Sequence, residues 1–531
     1  MCAYRPVYID YIYHLKFRFQ LLHLLRRQTS NFHHRHSIHS LCQHLSGNLK
    51  ASLLKTFLHA LLHTLLHAFS DSFALGCIHG ILNITICLFT GFILPHFLRS
   101  ELGYLCFLEE GTNMLQGEVV EREDYIAECS GKEAFPWRII MVTANDAEMA
   151  VNDLVWNLGT PADPSADFSW VRPGKVAWDW WNDWNLYGVD FRAGINNETY
   201  KYYIDFAAAH GIEYVILDEG WAVNKKADLM QVIPEIDIPM LCQYAQERGV
   251  GIILWAGYLA FDRDMENVCR HYSEMGVKGF KVDFMDRDDQ AMVDFHRRAA
   301  EMAAKYHLLI DFHGTYKPAG LNRTWPNVIN YEGVHGLEQM KWSDSSVDQV
   351  TYDVTVPFIR MAAGPMDYTQ GAMRNATRKN YRPVNTEAMS QGTRCRQLAE
   401  YVVFDSPLNM LCDSPSNYMA EPLCTKFIAE CPVIWDESRA VNGEIGKYIT
   451  LARRRGDVWY VGSMTDWNAR DIDIDLSFLG EGEWVMEIFR DGVNADRAAK
   501  DFKHEVVNVP ADRHVTVHMA PGGGWAARIS R

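Results

Sequence analysis

Apolar runs of four to six residues alternate with amphipathic segments between residues 174 and 332. Apolar runs are typical of parallel strands that are buried on both faces, and the segments between them have the three- and four-residue spacing of helices. Six such units within about 160 residues fit a (β/α)8 barrel better than an open doubly wound sheet. The predicted strands are residues 176–180, 214–218, 251–255, 279–284, 308–313 and 327–332, and the predicted helices are 199–210, 238–248, 265–275 and 290–305.

The alternation of apolar strands and amphipathic helices is irregular where the last two strands of the barrel are expected. Residues 354–361 and 400–404 are the best candidates for them, because they are the next apolar stretches. No glycine-rich phosphate-binding motif follows any of the strands, which argues against a dinucleotide site or a P-loop.

The flanking segments have different patterns. From residue 431 onward, strands with alternating apolar and polar positions predict an antiparallel β-sandwich over residues 431–531. Residues 124–129 and 137–143 predict two short strands before a proline-containing linker, with a short helix or strand edge at 146–158. Because some fifty residues cannot close such a core, residues 121–172 are interpreted as the remnant of an N-terminal β-sandwich. The sandwich strands are expected at 447–452, 458–462, 471–476, 484–489 and 514–519.

Residues 1–120 form a leader of a different composition. The first hundred residues carry two acids against nine lysines and arginines and hold 12 of the 21 histidines, although the whole chain has a net charge of −16. Three interpretations stay open: low-complexity sequence, a membrane anchor within the 27 uncharged residues 72–98, or a misplaced start of translation. No chemistry is assigned to this segment, and it lacks the order of regions expected in a signal peptide.

The composition of the whole chain is that of a globular protein. The sequence is 48% hydrophobic and 22% charged, which supplies a large core and excludes general disorder. An acidic balance without clustered lysine and arginine argues against a nucleic-acid partner. The cysteines show no metal-type spacing, so we expect mostly free thiols, which leave the cellular compartment open.

Polar residues stand at nearly every predicted strand end of the barrel. Since the carboxyl ends of barrel strands meet at one face, these side chains should collect there, and carboxylates with aromatic rings suggest a sugar-binding site. An aspartate in this place could instead cap the next helix, an alternative that stays open for Asp218 and more strongly for Asp286, Asp288 and Asp289. The strand-end residues are Asp179, Asp218 with Glu219, Trp255, Asp283, His313, and Glu332 with Glu338.

Four motifs resemble glycoside hydrolase family 97. They are residues 178–182 (WDWWN), 214–221 (YVILDEGW), 279–286 (GFKVDFMD) and 332–338 (EGVHGLE), and they occur in the family's order. The resemblance covers about three quarters of the chain, from about residue 124 to the C-terminus. It implies an N-terminal β-sandwich, most of which has no counterpart here, followed by a catalytic barrel and a C-terminal β-domain.

The resemblance also implies a mechanism. Inverting members have a glutamate directly after the histidine that ends the fifth barrel strand, whereas retaining members have an aspartate nucleophile at the end of the fourth. Here the fourth strand ends in Asp283, and Gly314 follows His313, as in the retaining branch. By resemblance Asp283 is the nucleophile and Glu338 the acid/base, whose pKa should be raised by burial and by Asp283.

Further roles rest on the same resemblance. Glu332 is implied to be a ligand of Ca²⁺, which prefers oxygen ligands, and a structural ion pair is the alternative. Lys281 and His313 are expected to contact sugar hydroxyls together with Asp218. A tryptophan platform is expected from Trp221, or alternatively from Trp178 or Trp180, although core packing would explain any one of them.

The sequence thus predicts a retaining glycosidase that acts on terminal α-galactosides or related oligosaccharides, without a nucleic-acid partner. An α-glucosidase or β-L-arabinopyranosidase on the same scaffold, or an inactive carbohydrate-binding remnant, is the alternative. The family implies a periplasmic or secreted protein, and a membrane association depends on whether residues 72–98 span a bilayer.

Overall fold

The computed structural model describes the backbone of residues 105–108, 117–121, 124–125, 127–129, 131, 137–223 and 228–531. The first two of these segments are strands β1 (Leu105–Leu108) and β2 (Gly117–Glu121), which pair in antiparallel orientation. The predicted membrane segment 72–98 and most of the leader lie outside the described residues. Within the described part of the chain, no helix is long and apolar enough to cross a bilayer.

Residues 174–411 contain a nearly closed barrel of seven parallel strands, which confirms the predicted fold class. All of these strands are buried along nearly their whole length, in agreement with their apolar sequences. Their spatial order is β11-β3-β4-β5-β6-β7-β8. The strands are β3 (Gly174–Ala177), β4 (Tyr214–Leu217), β5 (Gly251–Gly257), β6 (Gly279–Asp283), β7 (Leu309–Phe312), β8 (Val328–Tyr331) and β11 (Leu408–Leu411), with the two-residue strands β9 (Asn375–Ala376) and β10 (Ser390–Gln391) outside the barrel.

An extended segment, residues 366–370, fills the gap between β8 and β11. The Asp367 N–H donates to the Tyr331 carbonyl (2.7 Å), and the Cys412 N–H donates to the Gln370 carbonyl (3.2 Å). The predicted strands at 354–361 and 400–404 are therefore wrong. Both stretches are mainly helical, and they are apolar because those helices are buried.

Helices cover the outside of the barrel, and their ends follow local sequence signals. Asn196 caps the helix after β3 by accepting a bond from the Thr199 N–H (2.9 Å), and the helix ends at Gly211. Asp289 caps the helix after β6 in the same way. The helices are α1 (Leu154–Leu158), α2 (Asn197–His210), α3 (Ile238–Gln246), α4 (Tyr258–Arg263), α5 (Met265–Met275), α6 (Gln290–Lys305), α7 (Leu321–Thr324), α8 (Gln349–Asp353), α9 (Val356–Ile359), α10 (Arg394–Val403), α11 (Pro415–Ala420) and α12 (Pro422–Glu430).

The C-terminal region forms a six-stranded and a two-stranded antiparallel sheet around a second apolar core. Helix α10 packs closely on the larger sheet, since a Cβ atom at Gly462 would lie 2.8 Å from the Ala399 carbonyl oxygen. The predicted strands are all present, and three others were missed. The strands are β12 (Glu437–Glu444), β13 (Tyr448–Arg455), β14 (Val458–Thr465), β15 (Arg470–Asp475), β16 (Val485–Asp491), β17 (Phe502–Asn508), β18 (His514–Met519) and β19 (Gly524–Ser530).

The segment before the barrel differs from its prediction. Residues 137–143, expected to form a strand, have no strand pairing within the described part of the chain, and the described residues of 124–129 have none either. Residues 146–158, expected to form a short helix or a strand edge, form the 3-10 helix Ala147–Val151 and α1. The side chains of Trp137, Ile140 and Val142 are more than three-quarters exposed. An apolar alternation forms a strand only where a partner strand accepts its hydrogen bonds.

Candidate active site

A cavity of about 260 Å³ opens at the carboxyl ends of the barrel strands. This is the face at which barrel enzymes carry their catalytic groups. Asp218, Lys281, Asp283, Glu332 and Glu338 all line it, so five of the seven predicted site residues come together. The other lining residues are Trp180, Glu219, Trp255, Phe284, Asp286, Gly314, Gln339 and Trp342.

Asp283 ends β6 and points into the cavity with both oxygens held. Oδ1 accepts a bond from the Phe284 N–H (2.7 Å), and Oδ2 accepts one from Trp255 Nε1 (3.1 Å). Phe284 has a φ of +63°, a strained backbone conformation for a bulky residue. The strand end therefore fixes this carboxylate in one orientation.

Glu338 enters from the loop after β8, on the 3-10 helix Leu337–Lys341. Its N–H donates to Thr369 Oγ1 (3.1 Å), and Thr369 also has a positive φ. Burial raises the pKa of Glu338 well above its ordinary value, and the carboxylates of Glu332 and Asp283 raise it further. A raised pKa favours the protonated form of Glu338, which is the form that an acid catalyst needs before the reaction.

Lys281 and Asp218 form a buried ion pair at the edge of the cavity. Lys281 Nζ lies 2.9 Å from Asp218 Oδ2, which also accepts a bond from Trp178 Nε1 (2.7 Å). Although burial alone would lower the pKa of Lys281, Asp218 and Asp283 raise it above its ordinary value. These contacts place Asp218 at the site rather than at a helix cap, and they leave further donors on Lys281 for a ligand.

Two carboxyl groups near this pair have pKa values above their ordinary range. Burial and the charge of Asp218 raise the pKa of Glu219, which lines the cavity, to about 7. The same two causes raise the pKa of Asp179, behind the cavity, to about 7. Such shifts are common where several acids share one site.

His313 lies beneath the cavity with its two nitrogens facing different groups. Nε2 is 2.7 Å from Asp367 Oδ2, whereas Nδ1 faces Glu332 Oε2 at 3.7 Å and Asp283 Oδ2 at 4.0 Å. Burial and Lys281 would lower the pKa of His313, but Glu332 and Asp367 raise it well above its ordinary value.

Gly314 leaves no room for a side chain beside Asp283. Its φ is +52°, and a Cβ atom there would lie 2.7 Å from the Phe284 nitrogen and 3.0 Å from Asp283 Oδ1. A glutamate at this position would therefore displace Asp283 or the backbone next to it.

The aromatic rings divide into core and cavity groups. Trp221 is fully buried, and its indole donates to the Trp255 carbonyl (2.9 Å), so the structure does not bring this predicted platform residue to the cavity. Trp178 is also fully buried. The cavity is instead lined by Trp180 and by Trp342, which meet edge to face with centroids 5.8 Å apart.

A cluster of possible metal ligands surrounds Glu332. One ligand atom each from His313, Glu332 and Glu338 lies within 4.8 Å of the others. Glu332 Oε2 already accepts a bond from the Gly314 N–H (2.7 Å). Two neighbouring carboxylates suit Ca²⁺, which would need its remaining oxygen ligands from elsewhere.

Sequence comparisons agree with the architecture. A family profile described as glycoside hydrolase 97 matches residues 180–334, and one described as glycosyl-hydrolase 97 C-terminal, oligomerisation, matches residues 434–530. Over 422 residues the chain is 65% identical to a retaining alpha-galactosidase of Bacteroides thetaiotaomicron. The aligned region covers 80% of this chain and 64% of that protein. The chain belongs to glycoside hydrolase family 97.

Other family 97 proteins are similar over the same region. A probable retaining alpha-galactosidase of Streptomyces bingchenggensis is 33% identical and covers 74% of this chain and 60% of its own length. A family 97 enzyme from Pseudoalteromonas sp. strain K8, solved in complex with acarbose, is 30% identical with a TM-score of 0.65, over 73% of this chain and 64% of that one. The chain thus spans just under two thirds of the length of these relatives.

Sequence reasoning missed several residues of this family 97 site. Trp342 and Gln339 follow Glu338 in a loop whose polarity looks ordinary, and no sequence signal distinguishes them. Asp367 lies in the segment that closes the barrel and was not recognised as part of it. Asp311 carried a signal, because it is a charged residue within an otherwise apolar strand.

Proposed function

We propose that this chain is a retaining exo-acting α-galactosidase. The observation that carries the proposal is the arrangement of Asp283, Gly314 and Glu338 around one cavity. The aspartate is fixed at a strand end, the glycine excludes a competing glutamate, and burial raises the pKa of Glu338. A retaining glycosidase needs one ionised carboxylate as nucleophile and one protonated carboxyl group as acid.

In the first step Asp283 attacks the anomeric carbon of the α-galactoside. As the new C–O bond to the carboxylate forms, the bond to the leaving oxygen breaks, and Glu338 gives its proton to that oxygen. Trp255 Nε1 and the Phe284 N–H hold the two oxygens of Asp283, which limits rotation of the nucleophile before attack. The product is a β-linked galactosyl ester of Asp283 and a free alcohol.

In the second step water replaces the leaving group. Glu338, now ionised, takes a proton from the water as its oxygen attacks the anomeric carbon, and the ester bond to Asp283 breaks. Two inversions give α-galactose and restore the proton on Glu338. Lys281 lines the cavity and lies where it could contact a hydroxyl group of the sugar, whereas His313 is buried beneath the cavity.

The choice of galactose is supported by the two relatives at 65% and 33% identity, which are a retaining alpha-galactosidase and a probable retaining alpha-galactosidase. The cavity lining supports a saccharide substrate, because carboxylates bind hydroxyl groups and the Trp180 and Trp342 rings can pack against a pyranose face.

We also propose that Glu332 contributes to a Ca²⁺ site. When bound, the cation would supply positive charge beside Glu338 and would take oxygen ligands from the carboxylates there. Adding Ca²⁺ to the chelated protein should raise its unfolding temperature, and Glu332→Gln should reduce that rise. An equal rise in both proteins would remove Glu332 from the site.

The reaction is tested by NMR of the first sugar anomer released from para-nitrophenyl α-galactoside. Retention predicts α-galactose, whereas release of β-galactose would refute the retaining mechanism. The α-glucoside and the β-L-arabinopyranoside are assayed in parallel, and preferential turnover of either would replace the proposed sugar. A folded sample that hydrolyses none of them would instead favour an inactive carbohydrate-binding chain.

The nucleophile is tested with Asp283→Gly. This variant should be nearly inactive on the same substrate, and azide should restore turnover and yield β-galactosyl azide. Asp163→Gly, which removes an exposed loop carboxylate outside the cavity, should behave like the wild type. Full activity of Asp283→Gly without azide would exclude the assigned role.

A further inference from the structure

The loop that joins Glu332 to Glu338 carries the proposed acid/base into the cavity, which both glutamates line. Residues 332–336 form an irregular loop, and Gly333 has a φ of +45°. Because the loop lacks the regular backbone hydrogen bonds of a helix or strand, its conformation depends on contacts with other elements. Those contacts therefore decide where the Glu338 carboxyl group lies.

Gln349, the first residue of α8, is fully buried against the middle of this loop. Its Nε2 donates to the His335 carbonyl (2.9 Å), and its Oε1 accepts from His335 Nδ1 (2.9 Å). Tyr352 of the same helix accepts the His335 N–H at its hydroxyl oxygen (2.9 Å). An amide side chain both donates and accepts, whereas a carboxylate in this place could only accept and a lysine could only donate. Gln349 therefore holds the backbone and the ring of one loop residue together.

The same amide also contacts the segment on the other side of the loop. Gln349 Nε2 lies 2.8 Å from the hydroxyl oxygen of Tyr368, and the Tyr368 carbonyl accepts the Leu337 N–H (2.8 Å). The next residue, Thr369, accepts the Glu338 N–H at Oγ1 (3.1 Å). Gln349 thus joins the two sides that enclose residues 335–338.

A buried ion pair fixes the orientation of Gln349. Its Nε2 lies 3.0 Å from Oδ1 of Asp353, one helical turn along α8. Asp353 Oδ2 is 3.1 Å from Arg396 Nη2, and both side chains are at most 1% exposed. Arg396 Nη1 donates in turn to the Thr465 carbonyl of β14 (2.7 Å). The hydrogen bonds that hold the loop are therefore anchored in the C-terminal sheet.

We propose that Gln349 is a positioning residue for Glu338. Through His335 and Tyr368 it fixes the backbone of residues 335–338, and with it the distance from the Glu338 carboxyl group to the leaving oxygen. Gln349 itself lies outside the cavity surface, and its role in catalysis rests on the proposed glycosidase function. A displaced acid affects leaving groups unequally, because a poor leaving group needs its proton during bond cleavage and a stable anion does not.

The first test is Gln349→Met, which nearly keeps the size of the side chain and removes its hydrogen bonds. The measured quantity is kcat/KM, which reports the steps up to formation of the galactosyl ester. It should fall about 10- to 100-fold for methyl α-galactoside. For 2,4-dinitrophenyl α-galactoside it should stay within about threefold of the wild type, because that phenolate leaves without a proton. Equal losses for the two substrates, or no loss for either, would overturn the proposal.

Asn327→Leu is the matched control for the loss of a buried amide. Asn327 is fully buried and donates to the Ala300 and Leu308 carbonyls (3.0 and 3.3 Å), before the amino end of β8 and away from the cavity. This variant should lose stability and yet keep the wild-type ratio of kcat/KM for the two substrates. If it changed the ratio as Gln349→Met does, general destabilisation would explain both results and the proposal would fail.

Hydrogen exchange tests the loop without turnover. In Gln349→Met the N–H groups of residues 335–338 should lose protection relative to the barrel strands, whereas in Asn327→Leu they should not. Tyr352→Phe removes one hydroxyl group and should have the same effect on a smaller scale, so the test remains decisive if Gln349→Met does not fold. Unchanged protection of residues 335–338 would overturn the proposal. A wild-type chain that hydrolyses no α-glycoside would instead refute the proposed function, and the exchange comparison would still be valid.

Discussion

Substitution of Gly314 by alanine adds one methyl group next to the proposed nucleophile. The new Cβ atom would lie 2.7 Å from the nitrogen and 2.9 Å from the Cα of Phe284, and 3.0 Å from Asp283 Oδ1. Two of these atoms are backbone, which cannot move away as a flexible side chain would. The strand end that carries Asp283 must therefore shift.

The expected cost has two parts. A non-glycine residue at a φ of +52° costs about 1–2 kcal/mol of folding free energy. Relieving the contact with Phe284 adds about 1–3 kcal/mol, as for other overpacked sites. The Phe284 N–H donates to Asp283 Oδ1 at 2.7 Å, so the Asp283 carboxylate moves with it. A misplacement approaching 1 Å lowers kcat on the order of 100-fold.

The assay combines denaturant unfolding with kcat on para-nitrophenyl α-galactoside. Gly456→Ala is the matched control, because Gly456 has a φ of +58° and a Cβ atom there would meet nothing within 4 Å. The control should show the backbone cost alone and keep its activity. If Gly314→Ala were as active and as stable as Gly456→Ala, the argument that this site admits only glycine would be refuted.

Three further predictions concern the cavity. As the pH rises through the raised pKa of Glu338, kcat/KM should fall because the acid loses its proton, and this alkaline decline should be absent from the residual activity of Glu338→Ala. The pKa of Glu219 is raised from 4.5 to about 7, so the folded state binds more protons than the unfolded state between these values and loses stability as the pH rises through them. Glu219→Gln should therefore be more stable than the wild type at pH 8, by about 1–2 kcal/mol of unfolding free energy after allowing for partial exposure, and no more stable at pH 4. Equal stability of the two proteins at pH 8 would contradict the raised pKa of Glu219. Trp342→Ala should raise KM for an oligosaccharide several-fold by removing a half-exposed ring from the cavity, whereas Trp156→Ala, which removes a similarly exposed ring outside it, should not.

The sequence could predict the repeating part of the barrel because each unit carries its own signal. Helices 265–275 and 290–305 were predicted with the bounds that the structure has, since their apolar stripes and capping residues are local. The strand predicted at 214–218 differs from the observed strand by one residue, because burial on both faces requires a continuous apolar run. The topology rule for barrels then placed Asp218 and Asp283 at one face without any knowledge of distances.

The same reasoning failed where an apolar segment was a buried helix and where an extended segment of the barrel was polar. Residues 400–404 are apolar because the end of α10 is buried, and the pattern of a buried helix was taken for a strand. The segment that closes the barrel, residues 366–370, is polar because it makes side-chain contacts inside the barrel, such as Gln370 Nε2 to Asn409 Oδ1 (2.7 Å). A short extended segment with these contacts has no periodicity to detect.

By itself the sequence determined the barrel, the C-terminal β-domain and the carboxylates at the strand ends, because these depend on local burial and on the order of elements. Only the tertiary structure decided which tryptophans face the cavity, since Trp221 and Trp342 differ in burial and not in sequence character. It alone brought Asp367 to His313 across 54 positions of chain and left no space at Gly314. Those contacts depend on how distant elements pack, which no local pattern encodes.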